Sequence, residues 1–317
     1  MTMAAINGVL GAIDPSDLGF TLMHEHVLVA NHSMRKAFPD WIDREERVAF
    51  AVGEIQAAKE LGVRTIVDLT PINLGRDIEI IREVAEKAEV QMIAATGFYW
   101  HEEPWFIGWE ADRLVEWLLR DIEHGIEGTD VKAGIVKCAT DAPGITDLNR
   151  KLLTVAARLH CASGVPISTH TDVQNRSGLA QQDIFEEEGV DLSRVVIGHC
   201  GDSEDLDYLE AILKRGSFIG MDRFGLNQLL SFEKRVETVA ELCRRGYSER
   251  MVVSHDACCG IDWFPGMDLS EAMPEWNFRH LCNDVIPALR KKGVTEEEIL
   301  DLTVANPRRV FEKQGAY

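Results

Sequence analysis

Two histidines, His24 and His26, flank Glu25 at the end of an apolar segment that predicts a strand, Phe20–His26. Because the side chains of a strand alternate between its two faces, both imidazoles point to one side and Glu25 points to the other. Imidazole nitrogens bind zinc, iron and other transition metals. The pair therefore indicates a metal site, with hydrogen-bonded core histidines as the alternative. It is not a zincin protease site, since the sequence lacks the helical motif HExxH.

Four further side chains of ligand type lie at the ends of other predicted strands. They are Lys137 in Ile-Val-Lys-Cys, His170 in Ser-Thr-His-Thr, His199 in Ile-Gly-His-Cys and Asp256 in Ser-His-Asp. The carboxyl ends of the strands of a (β/α)8 barrel meet at one mouth, where the active sites of this fold lie. In such a barrel all of these side chains would converge on the two histidines of the first strand.

Lys137 is unusual because it lies inside an apolar segment. Burial of an ammonium group is costly, so a lysine in this place must be neutral, paired or chemically modified. Carboxylation of its amine by carbon dioxide would make it an anionic oxygen ligand. Four imidazoles and two carboxylate-type groups suit a pair of divalent cations bridged by the modified lysine. A lysine that extends from the strand end to solvent is the alternative.

Short apolar segments alternate with longer segments of helical periodicity about eight times, which indicates a parallel sheet. The predicted strands are Phe20–His26, Thr65–Leu69, Gln91–Thr96, Lys132–Cys138, Pro166–His170, Val195–His199, Ser217–Met221 and Met251–Asp256. The predicted helices include Glu45–Leu61, Asp77–Ala88, Asp112–Gly125, Asp147–Ser163, Glu204–Lys214 and Phe232–Arg245. These units predict a single (β/α)8 TIM barrel over residues 1–317. Two Rossmann-like halves are the competing arrangement, but the sequence has no GxGxxG or GxxxxGK[ST] motif.

The charge balance bears on the possible partners. There are 53 Asp+Glu against 33 Lys+Arg, a formal net charge of −20, which disfavours nucleic acids and anionic membranes. No segment reaches the roughly 18 apolar residues of a membrane span, and the first residues do not resemble a signal peptide. We therefore expect a cytoplasmic protein. The 7 cysteines include no CxxC pair, so we expect reduced, packed thiols.

The remaining histidines carry no metal-site prediction. His255 precedes Asp256 and faces the opposite way, which favours a structural role. Solvent-exposed positions are expected for those in predicted helices and loops, namely His32, His101, His124, His160 and His280. Of these, His101 lies in a loop that could overlook the mouth.

The chain resembles the phosphotriesterase family of the amidohydrolase superfamily and, within it, the phosphotriesterase-like lactonases. The resemblance covers nearly the whole chain. It is carried by Thr21-Leu22-Met23-His24-Glu25-His26, Ile135-Val136-Lys137-Cys138-Ala139-Thr140-Asp141, Ser168-Thr169-His170-Thr171, Ile197-Gly198-His199-Cys200-Gly201-Asp202, Gly220-Met221-Asp222-Arg223 and Ser254-His255-Asp256.

The resemblance implies a (β/α)8 barrel with a binuclear metal centre. By this likeness His24, His26 and Asp256 hold the more buried ion and His170 and His199 the more exposed one, while a carboxylated Lys137 bridges both. Zinc is the first expectation for the ions, with iron, cobalt and manganese as alternatives. Many members are homodimers, which is the expectation here.

Lactonase activity is the more specific implication. Tyr99 after the third strand, Arg223 after the seventh and Trp263 after the eighth match positions that frame the lactone in the lactonases. Cys258 and Ile261 are predicted to line the same site. The charged segment Trp100-His101-Glu102-Glu103-Pro104-Trp105 departs from other members, and neither its role nor that of His101 is assigned.

We therefore expect hydrolysis of lactones, above all N-acyl-homoserine lactones, and hence quorum quenching. In the expected mechanism a hydroxide between the metals attacks the carbonyl, Tyr99 donates to the oxyanion, and Asp256 carries the proton to the leaving alkoxide. Apolar residues of the last loop, Ile261, Trp263, Phe264, Pro265, Met267 and Met273, are predicted to line an acyl-chain channel. A loop packed on the barrel or on a dimer partner is the alternative. The rival functions are a primary phosphotriesterase and a non-catalytic metal-binding barrel.

Overall fold

A computed structural model describes residues 5–313 and 315–317. An antiparallel hairpin comes first, β1 (Ile6–Gly8) and β2 (Gly11–Ile13). Eight parallel strands follow and pair in chain order. They are β3 (Phe20–Glu25), β4 (Val63–Asp68), β5 (Gln91–Gly97), β6 (Ile135–Ala139), β7 (Ile167–His170), β8 (Val195–Ile197), β9 (Phe218–Met221) and β10 (Met251–Val253). The predicted (β/α)8 barrel is confirmed.

The first and last strands of the barrel meet through the segments that carry metal-ligand candidates. Asp256, just after β10, donates its backbone N–H to the carbonyl of His24 in β3 at 3.0 Å. Cys259 donates to the carbonyl of His26, also at 3.0 Å. These bonds continue the ladder beyond the end of β10. The barrel is thereby nearly closed at its mouth.

Helices cover the outside of the barrel between successive strands. They are α1 (His32–Ala37), α2 (Arg44–Glu60), α3 (Ile78–Ala88), α4 (Ala111–Glu123), α5 (Asp147–Ser163), α6 (Ser177–Glu187), α7 (Leu206–Lys214), α8 (Phe232–Arg244), α9 (Leu269–Ala272), α10 (Ile286–Lys291), α11 (Glu296–Leu300) and α12 (Asn306–Phe311). Side chains cap their first turns, as when Asp77 accepts from the N–H of Ile80 and Thr146 from that of Asn149. Such caps explain why the predicted starts lie within a few residues of the observed ones.

The hairpin β1–β2 was not among the predicted elements. It packs against the ends of the strands opposite the mouth, where Ile6 and Ile13 join a buried cluster with Phe218 and Val310. Asn7 fixes the hairpin by donating from Nδ2 to the carbonyls of Ile122 and Ala133, at 3.2 and 2.9 Å. We call this end of the barrel the floor.

Alternation along the strands decides which side chains enter the barrel. In β6, Val136 and Cys138 face the helices and belong to the main apolar cluster. Ile135 joins the interior cluster, so Lys137 lies on the same inner face. Among the described residues, no helix is both long and apolar enough to cross a membrane.

Candidate metal centre

Six side chains predicted to bind metal converge at the mouth of the barrel. His24 lies in β3, Lys137 in β6, and His170 ends β7. His26, His199 and Asp256 lie one to three residues beyond the ends of their strands, β3, β8 and β10. The converging ends bring together side chains that are 230 residues or more apart in sequence.

His24, His26 and Asp256 form the first group. Oδ1 of Asp256 lies 3.0 Å from Nε2 of His26 and 3.3 Å from Nε2 of His24. The three ligand atoms lie within 4.8 Å of one another. This is the set that the resemblance assigns to the more buried ion.

His170 and His199 form the second group. Nδ1 of His170 lies 2.8 Å from Nε2 of His199. Each ring has a carboxylate on its other nitrogen, because Nε2 of His170 lies 3.0 Å from Asp141 and Nδ1 of His199 lies 3.0 Å from Asp222. A carboxylate accepts hydrogen bonds, so these outer nitrogens carry the ring protons.

Burial keeps the imidazoles neutral. It lowers the pKa of His24 to about 4, with a further contribution from Lys137. Burial, helped by Arg223, holds the pKa of His199 well below its usual value, and burial also lowers that of His170. In neutral rings with protonated outer nitrogens, Nδ1 of His170 and Nε2 of His199 both present lone pairs to each other.

Facing lone pairs 2.8 Å apart repel each other unless a cation lies between them. The same holds for Nε2 of His24 and the carboxylate oxygen of Asp256 at 3.3 Å. This donor set of neutral imidazoles and a carboxylate fits divalent transition-metal ions. The residues present therefore fit the expected metal centre.

Lys137 lies between the two groups and is buried, with 1% of its surface exposed. Its ammonium makes one hydrogen bond among the described residues, to Nε2 of His24 at 3.0 Å. Burial lowers its pKa to about 8, although Asp256 and Asp222 oppose this. An amine with a lowered pKa is more often neutral, which is the form that reacts with carbon dioxide.

Two of the candidate ligands have strained backbones. His199 has φ of 60° and Asp256 has φ of 53°, in the left-handed region that disfavours residues other than glycine. Asp256 is held there by its backbone bond to His24 and by Trp276, whose Nε1 donates to its carbonyl at 3.0 Å. Such strain is common where side-chain placement matters.

A pocket of about 190 Å³ opens at the mouth, and five of the six candidate ligands line it: His24, His26, Lys137, His170 and Asp256. All five residues predicted to contact substrate line it: Tyr99, Arg223, Cys258, Ile261 and Trp263. The hydroxyl of Tyr99 lies 3.5 Å from Nδ1 of His170, and burial raises its pKa above the usual value. Tyr99 is therefore a hydrogen-bond donor at neutral pH.

Arg223 links the pocket to a buried charge network. Its Nε donates to Oδ2 of Asp256 and its Nη1 to Asp202, both at 2.9 Å. Arg235 lies on the other side of Asp202, at 2.6 Å. Burial opposes ionisation of Asp256, but His24, His199 and Arg223 outweigh it and hold its pKa well below the usual range.

The loop after β10 separates the pocket from a second, outer groove. Ile261, Trp263, Phe264 and Met273 line the pocket as predicted. Pro265 and Met267 do not line it. They line only the outer groove against α2, in and just after a turn that is closed by the bond from the N–H of Met267 to the carbonyl of Phe264, whereas Ile261, Phe264 and Met273 line both the pocket and the groove.

The prediction of solvent exposure was wrong for two of the remaining histidines. His160 and His280 are buried rather than solvent-exposed. His160 lies 2.6 Å from the carbonyl of Val165, and His280 lies 2.8 Å from Asp284. His101 packs at the rim, with its ring 5.0 Å from Tyr99 and 5.8 Å from Trp263, and it is not among the pocket-lining residues.

His255 lies away from the metal-ligand candidates, and its partners explain its burial. Its Nδ1 lies 2.6 Å from Glu25, and its Nε2 accepts from the N–H of Leu281 at 2.9 Å. Glu25 also accepts from the hydroxyl of Ser254 and the N–H of Ala257. The central residue of the His-Glu-His motif thus ties β3 to the last loop.

Sequence reasoning assigned no role to the outer partners Asp141, Asp222 and Thr70. Asp141 and Asp222 contact the second histidine group, and Thr70 lies 2.8 Å from Nδ1 of His26. Asp141 follows the end of β6 by two residues and Asp222 follows the end of β9 by one, within motifs that carry the family resemblance. Their positions after strand ends could have indicated that they lie at the mouth.

A parallel barrel with this donor set at its mouth is of the class of metal-dependent barrel hydrolases. The family model of the Phosphotriesterase family matches residues 4–311, and the chain belongs to this family.

Relatives span the same length. The chain is 48% identical over 325 residues to "Phosphotriesterase homology protein" of Mycobacterium tuberculosis (strain ATCC 25618 / H37Rv), covering 99% of this chain and 100% of that protein. It is 40% identical over 304 residues to "Aryldialkylphosphatase" of Saccharolobus solfataricus, covering 95% and 97%. The solved "Structure of the phosphotriesterase from Mycobacterium tuberculosis" matches with a TM-score of 0.94 and 48% identity, over 99% of this chain and 100% of that one.

Proposed function

We propose that the protein is a metal-dependent hydrolase that opens lactone rings, with N-acyl-homoserine lactones and other aliphatic lactones as its substrates. Quorum quenching would follow from this activity, and hydrolysis of phosphotriesters would be a weak side activity. The observation that carries the proposal is the pocket itself. It combines a metal-type donor set at its base with largely apolar walls and a hydroxyl donor, Tyr99.

His24, His26 and Asp256 would hold one divalent ion and His170 and His199 the other, with N6-carboxylated Lys137 between them. Zinc is the first candidate, followed by iron, cobalt and manganese. When bound, such ions supply Lewis acidity and lower the pKa of coordinated water to about 7. Neutral imidazoles, which burial favours here, are the form that binds metal.

The chain's own polar groups have distinct tasks in this proposal. The hydroxyl of Tyr99 donates to the oxygen of the lactone carbonyl as negative charge develops there. Asp256 accepts at Oδ2 the proton of the water that attacks the lactone carbonyl, and it delivers this proton to the alkoxide that leaves when the ring C–O bond breaks. Arg223, which donates to that same oxygen at 2.9 Å, orients the carboxylate.

The pocket walls favour a substrate with an apolar tail. Val29, Leu74, Leu226, Ile261, Trp263, Phe264 and Met273 surround the polar base. Burial of each methylene of an acyl chain against such walls contributes about 0.8 kcal/mol, or roughly fourfold in affinity. We therefore expect KM to fall as the acyl chain lengthens until the pocket is full.

Comparison of kcat/KM between an acyl-homoserine lactone series and paraoxon tests the proposal. Metal-loaded protein should prefer the lactones, and Asp256→Asn supplies the matched background. A clear advantage for paraoxon would make the protein a primary phosphotriesterase, the second candidate. The 40% identical relative called "Aryldialkylphosphatase" favours that alternative. No turnover of either substrate by metal-loaded protein would leave the non-catalytic metal-binding barrel.

Carboxylation of Lys137 has a separate test. Protein prepared with 13C-bicarbonate should show one carbamate carbon signal by NMR, and Lys137→Met should abolish it together with the bridged metal. Normal metal content in Lys137→Met would contradict the modification.

Two further proposals, a homodimer and a cytoplasmic location, have their own tests. The molar mass from light scattering tests the homodimer, and cell fractionation tests the location.

A further inference from the structure

Asp222 lies behind the metal-ligand candidates and touches one histidine of each group. Its Oδ2 lies 2.9 Å from Nδ1 of His24, and its Oδ1 lies 3.0 Å from Nδ1 of His199. Oδ1 also accepts the backbone N–H of His199 at 2.8 Å. The two rings stack almost in parallel, with centroids 4.9 Å apart at 23°. One carboxylate therefore sets the orientation of both rings.

The contacts also set the tautomers. Because a carboxylate only accepts, Nδ1 of each ring carries the proton and Nε2 carries the lone pair. Those Nε2 atoms point into the site, since that of His24 lies 3.0 Å from Lys137 and that of His199 lies 2.8 Å from His170. Donor atoms of His24, His199 and Asp222 lie within 4.8 Å of one another. Asp222, however, contacts the nitrogens that point away from the mouth.

Two glycines make room for this carboxylate. A Cβ on Gly220 would lie 2.4 Å from Oδ2 of Asp222, and one on Gly198 would lie 3.2 Å from it. Real Cβ atoms do not approach so closely as the first of these distances. The Asp222 carboxylate can therefore occupy this position because neither Gly220 nor Gly198 has a side chain.

The other histidines have separate partners. Among the four histidine candidates, Asp141 contacts His170, at 3.0 Å from Nε2. Thr70 contacts His26 alone, at 2.8 Å from Nδ1, and its hydroxyl can donate or accept. Asp222 is the one of these three groups that reaches both histidine sets.

We infer that Asp222 is a positioning residue that couples the two metal sites, because it holds one ligand of each in the tautomer that binds metal. The inference rests on the metal centre of the proposed function. Partners of metal-bound histidines typically change metal affinity by 10- to 100-fold. Loss of Asp222 should therefore weaken both ions together, whereas loss of Asp141 should weaken one.

Asp222→Asn removes one of the two acceptor oxygens. The amide NH2 must then face one of the rings, which favours the tautomer with a proton on Nε2 and so weakens metal binding at that site. The other ring keeps only a neutral amide oxygen as its acceptor, which is a weaker partner than a carboxylate, so metal binding at its site weakens as well. Asp141→Asn is the one-site comparison. Asp172→Asn is the matched control, because Asp172 bonds Gln174 and Asn175 but no histidine.

Equilibrium dialysis against buffered free Zn²⁺, followed by elemental analysis, measures both affinities. The wild type should hold two ions per chain. Asp222→Asn should shift both half-saturation points by about 10- to 100-fold, Asp141→Asn should shift one, and Asp172→Asn neither. A shift of only one site, or none, in Asp222→Asn would overturn the coupling.

Gly220→Ala is the second variant, in case Asp222→Asn does not fold. Its methyl displaces the carboxylate without changing its charge, and the same shift at both sites is expected. Nitrogen-15 NMR of the metal-free wild type should show protons on Nδ1 of His24 and His199, and a proton on Nε2 of either would overturn the inference. Wild type that binds no metal would refute the proposed function, while the nitrogen pattern would still test the role of Asp222.

Discussion

The mouth and the floor of the barrel are built from the same strands but differ in almost every physical property. The mouth collects neutral imidazoles, a buried lysine, ionised carboxylates and two left-handed residues, His199 and Asp256. The floor collects buried apolar side chains such as Ile6, Phe218 and Val310. The strand ends at the mouth therefore place polar side chains together and tolerate strained backbone conformations. The strand ends at the floor contribute buried apolar contacts that stabilise the barrel.

The largest expected effect is at the mouth. Asp256→Asn removes the proposed proton carrier and one proposed metal ligand, so kcat on a lactone should fall by about a thousandfold or more. Its melting temperature should fall only modestly, because Arg223 loses one carboxylate partner but keeps Asp202, and no apolar contact is lost. Steady-state kinetics and thermal unfolding measure the two, with Asp172→Asn as control. Full retained activity would contradict the proposed centre.

The floor should respond in the opposite way. Phe218→Ala opens a cavity among fully buried side chains, and we expect the free energy of unfolding to fall by about 3 kcal/mol. Denaturant titration measures this, and Phe218→Leu should lose less. Because the cavity lies away from the mouth, kcat of the folded protein should not change. A large drop in kcat of Phe218→Ala with unchanged stability would contradict the assignment of stability to the floor and of activity to the mouth.

His160 gives the floor a pH dependence of its own. Burial lowers its pKa from 6.5 to about 4 in the folded protein. Between these values the unfolded chain binds the proton and the folded one does not, so stability falls as the pH drops from 6.5 to 4. His160→Gln should flatten that decline by on the order of 2 kcal/mol. Denaturant titrations at several pH values measure it, and parallel curves for both proteins would contradict this origin.

The smallest effect separates substrate contact from metal binding within the mouth. Tyr99→Phe removes only a hydroxyl, so kcat should fall about tenfold through the loss of one hydrogen bond. Metal content should stay at the wild-type value. Elemental analysis beside kinetics checks both, and a loss of metal would assign the hydroxyl of Tyr99 to the metal site instead.

The barrel and its converging strand ends could be predicted because they follow local rules. Alternation in Ile135–Ala139 places Lys137 inside, and the ends of parallel strands meet whatever the loops do. The hairpin β1–β2 was not predicted because its strands have three residues each, which is too short to show a clear hydrophobic periodicity. His160 was expected in solvent because it lies in a predicted helix. It is buried against the backbone carbonyl of Val165, and no sequence motif marks such a bond.

The tasks of Asp222 and Asp141 depend on distances that no spacing in one chain encodes. Asp222 reaches His24 across 198 residues of sequence, and which ring nitrogen it touches is fixed only by packing. The loop after β10 shows the same limit. Its apolar character was evident, but which of its residues reach the pocket, such as Met273, and which reach only the outer groove, such as Met267, depends on the path of the backbone.

His24, His26 and Asp256 lie in the segments that close the seam between β3 and β10, and the paired residues are 230 or more positions apart in sequence. Closing so large a loop costs conformational entropy, which the contacts along the seam must offset. The complete donor set therefore exists only in chains whose ring of strands has closed. Partly folded chains, with the seam still open, have no assembled site with which to trap metal or react prematurely.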